Sequence, residues 1–229
     1  MRDNRAKAWG HAHKKAVASG NYSQWPNEAM LRIAFGRYLK NKIKIVKGMK
    51  VMDVGCGSGN NLLPFLFKGC KGYGVEVTSS SAKLAEKFLR TRGFKTDMRV
   101  GNNRNLPFDN NSFDLLLSIN TLHYEAEWPL VDEALKEFQR VLKKGGHLIL
   151  FTVGPRHTVI KKAKRVQPFC YKVQNFDFRD GTQFYCFETE KNLRKALDPL
   201  FENVETGQVT EKLMTCPLDF LIAVGQKEN

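Results

Sequence analysis

Two acidic residues stand at the ends of two neighbouring apolar runs, on either side of a turn rich in glycine. Asp53 lies at the end of "KVMD", and Gly55, Gly57 and Gly59 follow it at every second position. Glu76 lies at the end of the next run, "GYGVE". Glycines at this spacing let main-chain N–H groups approach a ligand closely. The two carboxylates predict a ligand that carries both a positive charge and hydroxyl groups.

The glycine spacing argues against a nicotinamide dinucleotide as the ligand. The dinucleotide turn reads G-x-G-x-x-G, which requires glycine at the position that Asn60 occupies. Asp53 would also repel a pyrophosphate, because like charges a few ångströms apart repel strongly in a dry crevice. Glu76 is placed to accept hydrogen bonds from the 2′ and 3′ hydroxyls of a ribose. An amino-acid head, a ribose and no pyrophosphate together describe S-adenosylmethionine.

Alternating strand and helix patterns place both acids at one edge of a sheet. The predicted strands are "KVMDV", "GYGVEV", "KTDMRV", "FDLLLSI", "GHLILFTV" and "PLDFLIAVGQK", and the predicted helices cover 27–39, 60–67, 80–91, 128–142 and 188–200. Strands that read as continuous apolar runs are typical of parallel sheets covered on both faces. The order predicts an α/β fold with a doubly wound, mostly parallel sheet of about seven strands.

The chain of 229 residues is predicted to form one domain. We predict an N-terminal helical cap over 1–47, a cofactor-binding core over 48–153, a substrate-side insertion over 154–187, and a C-terminal helix with strands over 188–229. Within the insertion, Asp180-Gly181 between two aromatic runs predicts a β-hairpin. An insertion at the carboxyl edge of a doubly wound sheet can form a wall or lid over the site.

The formal net charge is +14, and the basic residues are unevenly placed. Positions 1–50 hold twelve Lys or Arg against only Asp3 and Glu28, and 156–172 form a second basic run. Such a field favours nucleic acid or small phosphorylated or carboxylated substrates, although a positive surface also serves solubility alone.

Cysteine usage and hydropathy indicate the compartment. The five cysteines are scattered without a C-x-x-C pair, so the sequence predicts neither a disulfide framework nor a zinc or other metal site. No apolar run approaches the roughly 20 residues of a membrane span, and the N-terminus lacks the apolar core of a signal peptide. We therefore expect a cytoplasmic protein without a membrane span.

Four stretches resemble, in order, the class I S-adenosylmethionine-dependent methyltransferases, and in particular the bacterial small-molecule O-methyltransferases. They are "DVGCGSGN", "GVEVT", "VGNNRNLPFDNNSFDLLLSINTLHY" and "RVLKKGGHLILF". The resemblance implies that Gly55, Cys56 and Gly57 pack against the methionine moiety of the cofactor. It also implies that Asp53 contacts the amino group and that Glu76 holds the ribose.

The third stretch departs from the family pattern at the adenine position. The family reads G-D-A-x-x-L-P-F, in which the aspartate accepts from the adenine amino group, whereas this chain reads "GNNRNLPF". The resemblance implies that Asn102 takes the place of the aspartate, with a weaker bond because its amide oxygen lacks a full charge. Asn103 is then expected to supply a main-chain N–H to the ring, with Val77 and Leu106 as apolar walls.

The stretch "SINTLHY" follows the fourth strand and is expected beneath the sulfonium. We predict that Ser118 and Asn120 contact the cofactor and that His123 and Tyr124 face the acceptor. A neutral His123 could take a proton from an acceptor hydroxyl near pH 7. A histidine at a strand end is, however, more often a packed or solvated residue.

Weaker candidates lie outside this stretch. His157 and Asp177, in or beside the insertion, are second choices for a catalytic base. Tyr22 and Trp25, in "NYSQWPNEAM", are expected either to cover the cofactor or to pack against the sheet.

The sequence favours methyl transfer to a small acceptor, through a hydroxyl of a sugar or metabolite, and the positive charge suits an anionic one. RNA methylation is the second hypothesis, with "KKAKRVQPFCYK" along the backbone and Phe169 and Tyr171 stacking on bases. A cofactor-binding module without turnover is the third, and Asn102 would then be a symptom of lost activity.

Overall fold

The computed structural model describes residues 11, 15, 24–214 and 216–228. Ten strands are described: β1 (Lys50–Val54), β2 (Lys71–Glu76), β3 (Asp97–Val100), β4 (Phe113–Ile119), β5 (Leu142–Val153), β6 (Ala163–Gln167), β7 (Cys170–Val173), β8 (Gln183–Tyr185), β9 (Glu202–Leu213) and β10 (Cys216–Gln226). The described helices are α1 (Glu28–Phe35), α2 (Leu63–Phe67), α3 (Ser79–Arg90), α4 (Trp128–Val141), α5 (Thr158–Lys161) and α6 (Glu190–Leu197), and short 3-10 turns cover Asn60–Leu62 and Leu122–Tyr124.

Seven of the strands form one sheet in the order β3-β2-β1-β4-β5-β10-β9. The first five are parallel, whereas β10 is antiparallel to both of its neighbours. This confirms the predicted doubly wound, mostly parallel sheet. The strand order reverses between β1 and β4, and in such sheets the ligand crevice lies outside the carboxyl ends of the strands at that point.

The two faces of the sheet carry separate apolar cores because successive side chains of a strand point to opposite faces. One face buries Met52, Val54, Leu116, Leu148 and Leu150 under α4 and α6. The other buries Val51, Leu115, Leu117, Ile149 and Phe151 under α1, α2 and α3. The central strands are thus covered on both sides, which explains why they read as unbroken apolar runs.

The predicted helix over 27–39 is shorter in the structure. Asn27 caps α1 by accepting a hydrogen bond from the main-chain N–H of Met30, and the helix ends at Phe35 before Gly36. Met30 is fully buried, whereas Tyr38 lies beyond the helix and is exposed. The last edge strand, β9, was not predicted, because most of its side chains are polar and it pairs with β10 alone.

The insertion after β5 is a three-stranded antiparallel sheet in the order β6-β7-β8. Asp180-Gly181 lies between β7 and β8, as the predicted hairpin requires, and Gly181 has a φ of +74°. The prediction was wrong about the first arm, because residues 174–182 form a long loop and the paired strand is Cys170–Val173. The insertion has its own apolar cluster, which also includes Val153 at the end of β5.

No helix among the described residues is long and apolar enough to cross a membrane.

Candidate functional site

The glycine loop closes the end of β1 onto β2. The main-chain N–H groups of Gly55 and Cys56 both donate to the carbonyl of Val75, at 2.8 and 3.1 Å. Gly55 has a φ of +66°, and a Cβ there would collide with the side chain of Thr121. Gly57 has a φ of +57°, and a Cβ there would meet open space. Gly55 therefore permits a close approach to the loop after β4, whereas Gly57 leaves the crevice clear for a ligand.

Asp53 is buried at the carboxyl end of β1 with one oxygen unused. Its Oδ2 has no hydrogen-bond partner among the described residues. Burial raises the pKa of Asp53 well above its ordinary value and the charge of Glu76 raises it further, whereas the nearby amide of Asn61 opposes this rise. An unpaired buried carboxylate is costly, so this oxygen requires a donor from a ligand.

Asn120 presents a second unused acceptor at the end of β4, the strand beside β1. Its backbone is left-handed, with a φ of +62°, and its Oδ1 is buried without a partner among the described residues. Ser118 is fully buried, and its hydroxyl is 2.9 Å from that of Thr121. Oxygens of Asp53 and Asn120 at two adjacent strand ends suit a group with several N–H donors, such as an ammonium.

Glu76 stands at the end of β2 and is oriented by two main-chain donors. Its Oε1 accepts from Gly57 at 2.7 Å and its Oε2 accepts from Val77 at 3.0 Å. Burial raises the pKa of Glu76, and the two bonds oppose that rise. A carboxylate has about four acceptor positions, so about two remain for the hydroxyls of a ribose. Val77 is partly exposed beside this carboxylate and provides an apolar surface.

The two asparagines of the loop after β3 have different environments. Asn102 is exposed, and its Oδ1 accepts from the main-chain N–H of Arg104 at 3.0 Å, so the oxygen expected to accept from adenine also stabilises its own turn. Asn103 is buried, and its Nδ2 donates to the carbonyl of Thr121 and to Glu125. The predicted wall residue Leu106 is only 2% exposed and belongs to the apolar core.

The sequence did not predict the ion pair that joins the loop after β3 to the loop after β4. Arg104 Nε lies 2.9 Å from Glu125 Oε2, and both side chains are largely buried. Together with the bond from Asn103, this pair fixes the loop after β4 against the loop after β3. The partners are about twenty residues apart in sequence, and no local spacing predicts their meeting.

Cys56 lies in the glycine loop with its thiol turned inward. Its Sγ is 3.9 Å from the sulfur of Met98. Burial raises the pKa of Cys56 well above its ordinary value, and the charges of Glu76 and Asp53 raise it further. The side chain is therefore a neutral thiol, and its contribution to a ligand site comes from the main chain.

His123 is packed in an aromatic cluster at the 3-10 turn after β4. Its ring lies 4.7 Å from Tyr124 and 4.8 Å from Phe184, and its Nδ1 accepts from the main-chain N–H of Val153 at 3.4 Å. Burial lowers the pKa of His123 to about 3, and the charges of His157 and Arg179 lower it further. An imidazole whose Nδ1 is an acceptor carries its proton on Nε2, so the remaining nitrogen is a donor. The catalytic role of His123 stays a prediction, and this geometry does not favour a base.

The insertion contacts the same turn and places Arg179 beside it. Its guanidinium pairs with Asp177 at 2.5 Å and lies over the ring of Phe176, and its charge opposes the rise that burial causes in the pKa of Tyr124. Phe184 from β8 also packs on Tyr124, at 4.8 Å. The insertion therefore forms a fixed wall beside His123 and Tyr124 at the carboxyl edge of the sheet.

The weaker candidates have other partners. His157 caps α5 through Nδ1, and burial lowers its pKa to about 4. Asp177 is paired with Arg179, as described above. Trp25 is 82% exposed, so its ring is not packed against the sheet, and Tyr22 lies outside the described residues.

The aromatic residues of the basic run are already packed. Phe169 lies 5.8 Å from Tyr185, and the hydroxyl of Tyr171 donates to Glu188 at 2.9 Å. Both rings are partly buried. Stacking on nucleic-acid bases would require them to leave these positions.

The residues at this crevice fit S-adenosylmethionine. The two unused oxygens of Asp53 and Asn120 suit its ammonium group, the open space at Gly57 accommodates its methionine part, and Glu76 retains acceptors for its ribose. Residues 52–150, which run from β1 into β5, match the family model described as a methyltransferase domain. This segment belongs to the class I S-adenosylmethionine-dependent methyltransferases. It contains every residue of the crevice described above.

The relatives of the methyltransferase domain have names that specify different methyl acceptors. The sterol 4-C-methyltransferase of Caenorhabditis elegans is 28% identical over 116 residues, which is 50% of this chain and 34% of that protein. The fatty-acid O-methyltransferase of Mycolicibacterium smegmatis is also 28% identical over 116 residues, which is 50% of this chain and 40% of that protein. The chain thus spans less than half the length of these two relatives.

A solved structure shares the fold over nearly the whole chain. The putative methyltransferase of Haloferax volcanii, solved in a complex with the Trm112 methyltransferase activator, superposes with a TM-score of 0.69 at 18% identity and covers 98% of both chains. At this identity the likeness concerns the fold alone.

Proposed function

We propose that this protein transfers the methyl group of S-adenosylmethionine to an oxygen of a small acceptor that is already anionic at neutral pH. The cofactor assignment depends mainly on two buried oxygens without partners among the described residues, Asp53 Oδ2 and Asn120 Oδ1, at adjacent strand ends. Asp53 and Asn120 would hold the ammonium group, Glu76 the ribose hydroxyls and Asn102 the adenine edge.

The protein contributes alignment rather than covalent chemistry. The cofactor, when bound, supplies a sulfonium methyl that is already activated for displacement. The chain's task is to hold an acceptor in line with it and to exclude water. The ionic link between Arg104 and Glu125 and the glycine loop support the cofactor side. Arg179 and Tyr124 support the acceptor side.

The lowered pKa values of the two histidines beside the site support an acceptor that is already negatively charged. Both His123 and His157 use Nδ1 as an acceptor of a main-chain N–H, and their pKa values are lowered by burial to about 3 and about 4. Groups with such values are weak bases at pH 7, where the best catalytic pKa lies near the working pH. A carboxylate or an acidic phenol needs no base, because its oxygen is already ionised. The net charge of +14 also attracts anions.

A panel of acceptors with matched skeletons tests this proposal. We would measure release of S-adenosylhomocysteine with aromatic and aliphatic carboxylic acids, the corresponding primary alcohols and the corresponding amines. Methylation of the acids above the alcohols and amines is expected. Faster methylation of the alcohols or amines would contradict it, as would a methylated carbon in the product.

Two other results of these experiments would replace the proposed function: methylation of RNA, and binding of the cofactor without methyl transfer. Methylation of RNA, with an affinity that falls steeply as salt is added, would replace the small acceptor by nucleic acid. Cofactor binding in calorimetry without turnover on any substrate would replace the enzyme by a binding module.

A further inference from the structure

The side chain of Asn103 joins the loop after β3 to the turn after β4. Its Nδ2 donates to the main-chain carbonyl of Thr121 at 3.2 Å and to Oε1 of Glu125 at 3.1 Å. A carbonyl and a carboxylate only accept, so the amide must present its nitrogen and not its oxygen to them. The nitrogen carries two protons, and each partner takes one. The residue is buried, so water cannot readily replace either bond.

Thr121 directly follows Asn120, the residue with the unused acceptor at the end of β4. The carbonyl of Thr121 accepts from the main-chain N–H of Tyr124 at 3.1 Å as well as from Asn103. A carbonyl oxygen has two acceptor positions, so both are used. The hydroxyl of Thr121 lies 2.9 Å from that of Ser118. The peptide after Asn120 is thus held by its own turn and by a side chain from the neighbouring loop.

The direction of Asn120 Oδ1 depends on the backbone of Asn120. That backbone is left-handed, with a φ of +62°, a conformation that costs most residues free energy and is easiest for glycine and asparagine. On one side, the N–H of Asn120 donates to the carbonyl of Phe151 in β5 at 2.9 Å. On the other side, the carbonyl of Thr121 accepts from Asn103. The bond from Asn103 therefore helps to keep the conformation that presents Oδ1.

Asn103 is itself held in place by Glu125. The carboxylate uses one oxygen for the Asn103 amide, and its other oxygen lies 2.9 Å from Arg104 Nε. Glu125 is buried, so the amide cannot turn away from Thr121 without depriving a buried carboxylate of this donor. The position of the Asn103 side chain is therefore fixed before a ligand binds.

We propose that Asn103 is a positioning residue that connects the adenine side of the crevice to the ammonium side. The proposal rests on the proposed function, in which the crevice binds S-adenosylmethionine. The main-chain N–H of Asn103 serves the adenine, whereas its side chain acts through Thr121 on Asn120. The side chain therefore supports recognition of the amino-acid head of the cofactor and not recognition of its adenine.

Two ligands separate the side-chain role from the main-chain role. S-adenosylhomocysteine and methylthioadenosine share the adenine, the ribose and the sulfur, but only the first has the amino-acid head. In calorimetry with the full chain, Asn103→Ala should weaken binding of S-adenosylhomocysteine about tenfold and binding of methylthioadenosine less than about twofold, because only the hydrogen bond to the ammonium is impaired. Retained binding of methylthioadenosine also shows that the variant is folded at the crevice.

Glu133→Gln is the control for this substitution. Glu133 also pairs with Arg104, at 3.3 Å, but more than half of its side chain is exposed, and its replacement leaves both bonds of Asn103 in place. The affinities for both ligands should be unchanged in Glu133→Gln. An equal loss for the two ligands in Asn103→Ala, including loss of both, would overturn the positioning role.

A double-variant cycle tests whether Asn103 acts through Asn120. Asn120→Gly removes the unused acceptor and tolerates the left-handed backbone. In that background, Asn103→Ala should weaken binding of S-adenosylhomocysteine by less than about twofold, because the oxygen that it positions is gone. Losses that multiply would overturn the proposal. If the wild type does not bind S-adenosylhomocysteine more tightly than methylthioadenosine, the proposed function fails, and that result is visible before any variant is compared.

Discussion

The main-chain N–H of Gly57 donates a hydrogen bond of 2.7 Å to Oε1 of Glu76. This bond joins the glycine loop after β1 to the acid at the end of β2, so the two parts of the cofactor site have a fixed relation. Because Glu76 is already oriented by Gly57 and Val77, a ribose can bind without reorganising the carboxylate. The same arrangement keeps the carboxylate charges of the site buried. Without a ligand, the protein stabilises these charges poorly.

Asp53→Asn should therefore stabilise the ligand-free protein while it weakens cofactor binding. The raised pKa of Asp53 means that the folded protein holds this proton more tightly than the unfolded chain does. The unfolding free energy contributed by Asp53 then falls as pH rises from about 4 through the raised pKa. At pH 7 we expect Asp53→Asn to raise the unfolding free energy by about 1 kcal/mol, or about 2–4 °C in Tm. Calorimetry should show cofactor affinity reduced about tenfold or more.

Asp219→Asn is the matched control for this prediction. Asp219 is equally buried, but its oxygens accept from Arg156, Gln208 and Thr210 at 2.7–2.8 Å. Its replacement should lower the unfolding free energy by about 1–3 kcal/mol and leave cofactor affinity unchanged. Destabilisation by Asp53→Asn of similar size would show that Asp53 is a satisfied structural acid.

Gly57→Ala should remove cofactor binding at a modest cost in stability. A left-handed backbone costs a non-glycine residue about 1–2 kcal/mol, and the new methyl group would occupy the crevice. Gly93→Ala supplies the control, because Gly93 has a φ of +83°, also has open space at its Cβ, and lies in the turn after α3. Both variants should lose similar Tm in thermal unfolding. Equal cofactor affinity for the two variants would exclude Gly57 from the binding surface.

His123→Asn should change the methyl-transfer rate by less than about tenfold. His123 has a pKa of about 3, so it stays neutral from pH 5 to pH 8 and gives no inflection in the rate over that range. An amide oxygen can replace Nδ1 as the acceptor for Val153. A general base, in contrast, contributes about 10²–10⁴-fold. A loss of that size, together with the disappearance of an acidic limb from the pH–rate profile, would establish His123 as the base.

Arg179→Met should reduce turnover without changing cofactor affinity. The guanidinium pairs with Asp177 in the insertion, and its charge acts on Tyr124 beside the crevice, so its loss alters the acceptor wall. Arg165→Met is the control, because Arg165 also forms an ion pair in the insertion, with Glu188 at 3.1 Å, but more than half of its side chain is exposed. Steady-state kinetics should show a several-fold larger fall in kcat/KM for the acceptor in Arg179→Met. Equal effects in the two variants would mean that the wall does not shape acceptor binding.

Sequence alone predicted the elements whose side chains are buried on both faces. The bounds of β1 and β4 match their apolar runs residue for residue, because a parallel strand at the centre of a sheet has no polar face. Asp53 and Glu76 were identified for the same reason, since a charge that closes such a run marks the strand end. The edge strand β9 escaped prediction because it has no comparable run.

The remaining site contacts depend on residues that meet only after folding. Asn61 binds Asn27, which precedes it by 34 residues, and Asn103 binds Glu125, 22 residues later. The polar pair Asn60-Asn61 at the start of a predicted helix was the one local signal, because asparagine is a weak helix former in helix interiors. The ring that packs on His123 was likewise not predictable, since Phe184 comes from an insertion about sixty residues away.

A crystal structure of the full chain soaked with S-adenosylmethionine tests the central claim most directly. We predict the ammonium group against Asp53 Oδ2 and Asn120 Oδ1, the ribose hydroxyls on Glu76 and the methionine part over Gly57. Density for the nucleoside at any other place, or NADH bound in this crevice in a parallel soak, would contradict the account.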